Sequence, residues 1–192
     1  MIGIIDYGAG NLTSLTNTLA RMGVLYTVSA DPKILETCEK IIFPGVGHAK
    51  SAMESLQKNR LDIFLSTTTK PLLGICLGMQ LLFEFSEEGY TKAIGRIKGA
   101  VKKFLSEEVG IIPHTGWNTC RDAMNRVSTA DMYFVHSYYC VPKDDTSVWM
   151  TTEYNGKTFC SAIQQGNVWG MQFHPEKSGK RGEEFLQSFI DL

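Results

Sequence analysis

Short apolar runs alternate along the first half of the chain with longer stretches in which apolar residues return every three or four positions. Met1 to Ile5 is the first such run, and Leu12, Leu15, Leu19 and Met22 follow at helical spacing, with Asn11 suited to cap that helix and Gly23 to end it. Val24 to Val28 reads as a strand, Asp31-Pro32 opens a short helix by the cap-then-proline rule, and Lys40 to Phe43 is another buried strand. Ala52, Met53 and Leu56 mark a helix that the pattern continues through Leu61, Phe64 and Leu65. Pro71 to Ile75 is the next strand, with a helix after it over Leu77, Leu81, Leu82 and Phe85. Strand and helix in alternation with short connections predict an α/β fold: three layers, with a mostly parallel, flavodoxin-like sheet covered on both faces.

From about residue 95 the pattern changes to strand-like pieces: Gly99 to Leu105, Met132 to Val141, Val148 to Glu153, Thr158 to Ile163 and Val168 to Phe173. These are expected to add antiparallel strands to the sheet, and Glu183 to Leu192 reads as a closing helix. With no repeat, low-complexity tract or Pro/Ser-rich linker, residues 1–192 read as a single domain.

Composition narrows the function classes. A chain of 192 residues that is 43% apolar can bury a sizeable core, which excludes disorder and small stapled scaffolds. Nineteen basic against 20 acidic side chains, without long runs of either sign, give no footprint for nucleic acid or an anionic membrane. No apolar stretch approaches the roughly 18 residues of a membrane span, and the first residues lack the pattern of a secretory leader, so a cytoplasmic protein is expected. Cys38, Cys76, Cys120, Cys140 and Cys160 are odd in number and contain no Cys-x-x-Cys pair, which fits buried thiols, one of them a candidate for chemistry. No two histidines, nor a histidine and a cysteine, stand at metal-ligand spacing. Gly8-Ala9-Gly10 reads as a tight turn, because Thr13 occupies the third glycine position of a dinucleotide loop, and no cofactor is expected.

The sharpest local signal is Gly74-Ile75-Cys76-Leu77-Gly78, between an apolar strand and a helix-forming stretch. It has the form of a nucleophile elbow with sulfur in place of oxygen, where glycines two residues to either side relieve a tight turn. Cys76 would stand at a helix N-terminus, whose free N–H groups suit an anionic sulfur and offer the Leu77 N–H to a developing oxyanion. A buried cysteine between closely packed glycines fits the same residues. Of His48, His114, His136 and His174, only His174 has a partner in the adjoining sequence: in His174-Pro175-Glu176 the proline holds the histidine extended, and period-two spacing puts Glu176 on the same side to fix the imidazole tautomer. Cys76, His174 and Glu176 thus form a possible nucleophile, base and orienter, the alternative being a surface loop that ends a strand. Pro44-Gly45-Val46-Gly47, after a strand, can complete an oxyanion hole or simply turn the chain.

Together these motifs resemble the class I, triad-type glutamine amidotransferases. The match covers Gly74-Ile75-Cys76-Leu77-Gly78-Met79-Gln80, Pro44-Gly45-Val46-Gly47 and Gln172-Phe173-His174-Pro175-Glu176, and runs from the first strand to the last helix. Asp6-Tyr7-Gly8-Ala9-Gly10-Asn11, Gly116-Trp117-Asn118, Tyr133-Phe134-Val135-His136-Ser137-Tyr138 and Lys177-Ser178 are similar to the branch of that family serving histidine biosynthesis. The resemblance implies the family's α/β fold and hydrolysis of glutamine through a thioester on Cys76, with His174 and Glu176 completing the triad and the N–H groups of Leu77 and Gly47 holding the oxyanion. It implies that Gln80, His136, Ser137 and Tyr138 bind glutamine. It further implies that Asn11, Trp117 and Lys177 face a (β/α)8-barrel cyclase/synthase subunit, which receives ammonia and makes imidazole glycerol phosphate and aminoimidazole carboxamide ribotide.

The chain departs from the branch at Thr115, where methionine is usual, at His48, where a small or apolar residue is usual, and in a short loop between Trp117 and Tyr133. Other readings are a glutaminase for a different acceptor (chorismate or a surface-polysaccharide sugar), a stand-alone cysteine hydrolase, and a flavodoxin-like binding module with a vestigial thiol. Trp117 as a core aromatic and Lys177 as a solvated charge are the plain alternatives at the partner face.

Overall fold

A computed structural model describes residues 1–8, 12–123 and 129–192. Asn11, expected both as a helix cap and at the partner face, lies outside the described residues, as do Ala9 and Gly10 of the expected tight turn and part of the loop between Trp117 and Tyr133. The strands are β1 (Ile2–Ile5), β2 (Tyr26–Ser29), β3 (Lys40–Gly45), β4 (Leu72–Cys76), β5 (Phe85–Ser86), β6 (Thr91–Lys92), β7 (Gly99–Lys103), β8 (His114–Asp122), β9 (Ala130–His136), β10 (Tyr138–Pro142), β11 (Val148–Tyr154), β12 (Lys157–Gln165) and β13 (Val168–Met171). The α-helices are α1 (Leu12–Arg21), α2 (Pro32–Glu36), α3 (Ala49–Lys58), α4 (Leu61–Thr67), α5 (Leu77–Leu81), α6 (Ser106–Val109) and α7 (Gly179–Ile190).

All of these strands join one sheet in the order β2-β1-β3-β4-β13-β12-β10-β7-β5-β6, from which β11, β8 and β9 branch at β12. The run β2-β1-β3-β4-β13 is parallel. Successive residues of its strands feed opposite cores: Ile42, Leu73 and Ile75 pack with α1 and α7, whereas Phe43 and Leu72 pack with α2, α3, α4 and α5. This is the expected three-layer fold, with an antiparallel extension beyond β13. No helix among the described residues is long and apolar enough to cross a membrane.

Several boundaries differ from the sequence pattern, each for a local reason. The apolar stripe from Ala52 to Leu65 belongs to two helices, α3 and α4, because Arg60 between them adopts a left-handed conformation (φ 58°). The helix after β4 stops at Leu81, and Phe85 lies in a strand, because the N–H groups of Ile94, Ile97 and Gly95 take the carbonyls of Leu81, Leu82 and Phe83. The run from Met132 to Val141 breaks at Ser137 into β9 and β10, and β8 has no counterpart in the sequence reading. His48, unusual for its position, accepts the Lys50 N–H through its side chain and so caps α3.

Candidate active site

The C-terminal ends of β3, β4 and β13 meet at one rim, where Gly45 is the register partner of Cys76 and Met171 that of Ile75. Such a rim is where open α/β sheets present their ligand sites. Cys76 stands at the turn from β4 into α5 with φ 53° and ψ −111°, a conformation that costs a non-glycine residue about 1–3 kcal/mol. The flanking glycines show why the turn persists. A Cβ on Gly78 would lie 1.8 Å from the Phe43 carbonyl oxygen, and one on Gly74 would lie 2.7 Å from the Met79 nitrogen. The start of α5 therefore rests directly on the backbones of β3 and β4, and the strained residue between the two glycines is Cys76.

His174 reaches the same rim two residues beyond Gln172 at the end of β13. Its N–H donates to the Tyr133 carbonyl at 2.9 Å, and the Ser178 hydroxyl donates to its carbonyl at 2.6 Å while accepting the Tyr133 N–H at 3.0 Å. The backbone at His174 is extended, as expected before a proline, but Pro175–Lys177 is a 3-10 turn. Glu176 is thus returned to His174 by a turn, in place of the strand periodicity that the sequence suggests, and its Oε1 accepts from the imidazole Nδ1 at 2.8 Å. Nε2 is buried without a hydrogen-bond partner among the described residues, which leaves it for Cys76 and for substrate. Burial pushes the imidazole down, but Cys76 and then Glu176 outweigh it and hold His174 at about 10. The three candidate triad residues are therefore brought together, with sulfur and imidazole in interaction range.

A cavity of about 290 Å³ opens beside the sulfur and is lined by Cys76, Leu77, Gly47, Gln80 and the segment His136-Ser137-Tyr138. Both candidate oxyanion residues and all four candidate glutamine-binding residues therefore share one space with Cys76. Gln80 donates through Nε2 to the Tyr138 carbonyl and to Gln172 Oε1, each at 3.0 Å, which leaves its own side-chain oxygen to accept from a ligand. Gln172 in turn points Nε2 at Cys76 Sγ, 3.7 Å away. A second, smaller cleft is lined by Leu15, Pro44, His174, Glu176 and Lys177.

Trp117 is 59% exposed, so it is not a core aromatic. Its ring lies 6.2 Å from that of Tyr133, and Lys177 Nζ lies 5.9 Å from the Tyr133 ring, so the two described partner-face candidates share one exposed patch. Two groups near the pocket were not singled out from sequence. The Tyr7 hydroxyl is buried without a hydrogen-bond partner among the described residues, and burial and then Cys76 push it up. His114 on β8 places Nδ1 3.0 Å from Nε2 of His136. The signal for it is faint: His114, Gly116, Asn118, Cys120 and Asp122 alternate along one side of β8, and none is a large apolar residue.

The sequence model of the class-I glutamine amidotransferase family matches residues 3–192. The chain is 41% identical over 200 residues to imidazole glycerol phosphate synthase subunit HisH 2 of Methanococcus maripaludis, covering 99% of this chain and 98% of that protein. It is 42% identical over 205 residues to imidazole glycerol phosphate synthase subunit HisH of Geobacillus kaustophilus, covering 100% of this chain and 97% of that one. A crystal structure of a glutamine amidotransferase superposes with a TM-score of 0.79 at 15% identity, covering 99% of this chain and 97% of the other, a likeness of fold.

Proposed function

The chain belongs to the class-I glutamine amidotransferase family, and we propose that it is the glutaminase subunit of an imidazole glycerol phosphate synthase, acting in the cytoplasm as a single domain that feeds ammonia to a (β/α)8-barrel synthase subunit. One observation carries the reading: Cys76, next to the His174–Glu176 pair, lines a cavity whose other lining includes Gln80 and His136-Ser137-Tyr138.

Cys76 sulfur attacks the side-chain carboxamide carbon of glutamine, and the N–H groups of Leu77 and Gly47 hold the resulting oxyanion. His174 gives its proton to the departing nitrogen, so the C–N bond breaks to release neutral ammonia and leave a thioester. It then takes a proton from water as the water attacks that thioester, which frees glutamate and restores the sulfur. Glu176 holds the imidazole by Nδ1 through both half-reactions. Ammonia must reach its acceptor unprotonated, because ammonium has no lone pair with which to attack. That requirement favours an exit beside His174, through the small cleft lined by Glu176 and Lys177, toward a partner seated on the Trp117–Tyr133–Lys177 patch.

Glutamate release from glutamine, measured with the chain alone and with a barrel subunit plus its ribonucleotide substrate, tests the reading. Stimulated turnover in wild type and none in Cys76→Ala is expected. Turnover that persists in Cys76→Ala, or no turnover with any such partner, overturns it.

A further inference from the structure

The imidazoles of His136, which lines the cavity together with Cys76, and of His114 form part of a hydrogen-bond chain whose direction is fixed at both ends. At one end His136 Nδ1 lies 2.7 Å from the Tyr138 carbonyl oxygen, which only accepts, so Nδ1 carries the proton. At the other end Asn118 accepts the Thr119 N–H through Oδ1 at 2.8 Å and donates through Nδ2 to the Glu153 carbonyl at 2.8 Å, so its amide has one orientation. That orientation turns an Nδ2 proton toward His114 Nε2, 3.2 Å away, which must accept. His114 then carries its own proton on Nδ1, facing Nε2 of His136 at 3.0 Å. Protonating His114 Nε2 or His136 Nε2 would set one N–H against another, so the geometry favours both rings neutral and both protonated on Nδ1. The surroundings agree. His114 is stacked between Phe134 at 4.8 Å and Tyr154 at 4.1 Å, and His136 lies among Phe104, Phe134 and Phe159. Burial holds His114 down at about 4 and His136 at about 3. For His136 the neighbouring charges of His114 and His174 act in the same direction.

We propose that His114, oriented by Asn118, is a positioning residue for the substrate: it locks the His136 ring and thereby the Tyr138 carbonyl, which aims Gln80 at the ligand. The inference rests on the glutaminase reading of this cavity. The Tyr138 carbonyl takes one hydrogen bond from His136 and one from Gln80, and Gln80 also donates to Gln172, which approaches the sulfur. A slack His136 ring would release that carbonyl and leave Gln80 free to rotate, which weakens the binding of glutamine more than the chemistry at Cys76.

Ring nitrogen chemical shifts of wild type at neutral pH test the chain of protons without any variant. Both His114 and His136 are expected to carry hydrogen on Nδ1, the tautomer that free histidine disfavours. In the complex with its synthase, His114→Phe keeps a flat ring between Phe134 and Tyr154 but removes the donor, and is expected to raise KM for glutamine about tenfold with kcat changed little. His114→Asn returns an amide N–H near the Nδ1 position and is expected to recover most of the loss. A wild-type His136 protonated on Nε2, an unchanged KM in His114→Phe, or no recovery in His114→Asn each overturns the inference. An inactive wild type would instead overturn the glutaminase reading and, with it, the substrate role assigned to the chain of protons.

Discussion

The rim that carries Cys76 and the cavity wall that carries His136 are each built around a buried histidine, at 3% exposure for His174 and 6% for His136. Burial lowers both imidazoles, and what differs is the company each one keeps. His174 has a sulfur and a carboxylate for neighbours and is held at about 10. His136 has a second imidazole and three phenylalanines and is held at about 3. One sheet thus supplies, within a single site, a histidine that can keep a proton and give it up to a leaving group, and another that serves as a fixed neutral donor to a backbone carbonyl. Desolvation alone does not decide a histidine's role; the charge of the group it is buried against does.

Removing that group at the rim is the strongest way to sharpen the contrast. Cys76→Ala takes away both the proposed nucleophile and the largest influence raising His174. Glutaminase turnover is expected to fall by about 10⁴-fold or more. In an NMR titration the His174 signal should move down from about 10, while His136, whose shift does not depend on Cys76, stays where it is. Glu176→Gln is the next step down. Its amide can still touch Nδ1, but no longer supplies the carboxylate that favours the imidazolium, so turnover should fall by about 10²–10³-fold and His174 should again titrate lower. If the first substitution leaves His174 unmoved, the account of the rim is wrong.

The two regions also pull stability in opposite directions with pH. His174 is raised above its unfolded value of 6.5, so its contribution is complete below pH 6.5 and is lost as pH climbs toward 10. His114 and His136 are lowered from that value to about 4 and about 3, so their contribution is complete above pH 6.5 and is lost as pH falls toward those values. At one pK unit per roughly 1.4 kcal/mol, the pair should cost wild type a few kcal/mol between pH 6.5 and pH 4. Urea unfolding across that range is expected to show a shallower acid decline in His114→Phe than in wild type. Equal slopes would mean that the wall is not held neutral in the way its hydrogen bonds require.

How legible each region was in the sequence follows the same division. The elbow could be read because its sterics are local: positions 74 and 78 must be glycine wherever the start of a helix lies on the two strands behind it. His174 and Glu176 are two residues apart, so the pairing was visible even though the turn joining them was not. The wall depends on contacts between distant segments. His114 and His136 are 22 residues apart, and β8 has no apolar signature because its alternating positions carry histidine, glycine, asparagine, cysteine and aspartate in place of the apolar residues that reveal a strand. The same is true of α5, which ends where carbonyls are claimed by N–H groups more than ten residues along the chain, and of the break at Arg60, where a non-glycine residue adopts a left-handed conformation.

The smallest expected effect lies where the two regions join. The Tyr133 carbonyl holds the His174 N–H, while the strand that contains Tyr133 also carries His136, so the exposed patch around Tyr133 touches both rim and wall. Trp117 and Lys177 both approach that tyrosine, one with an aromatic ring and one with a cation. If the synthase seats there, Trp117→Ala removes a large exposed anchor and should weaken the complex by about 2 kcal/mol, and Lys177→Met should weaken it by about 1 kcal/mol. Neither substitution should change the melting temperature of the isolated chain appreciably, because surface changes of this kind stay within about 0.5 kcal/mol. Titration calorimetry against the barrel subunit reads both numbers. Affinities equal to wild type would move the partner to another face, and would remove the reason for ammonia to leave beside His174.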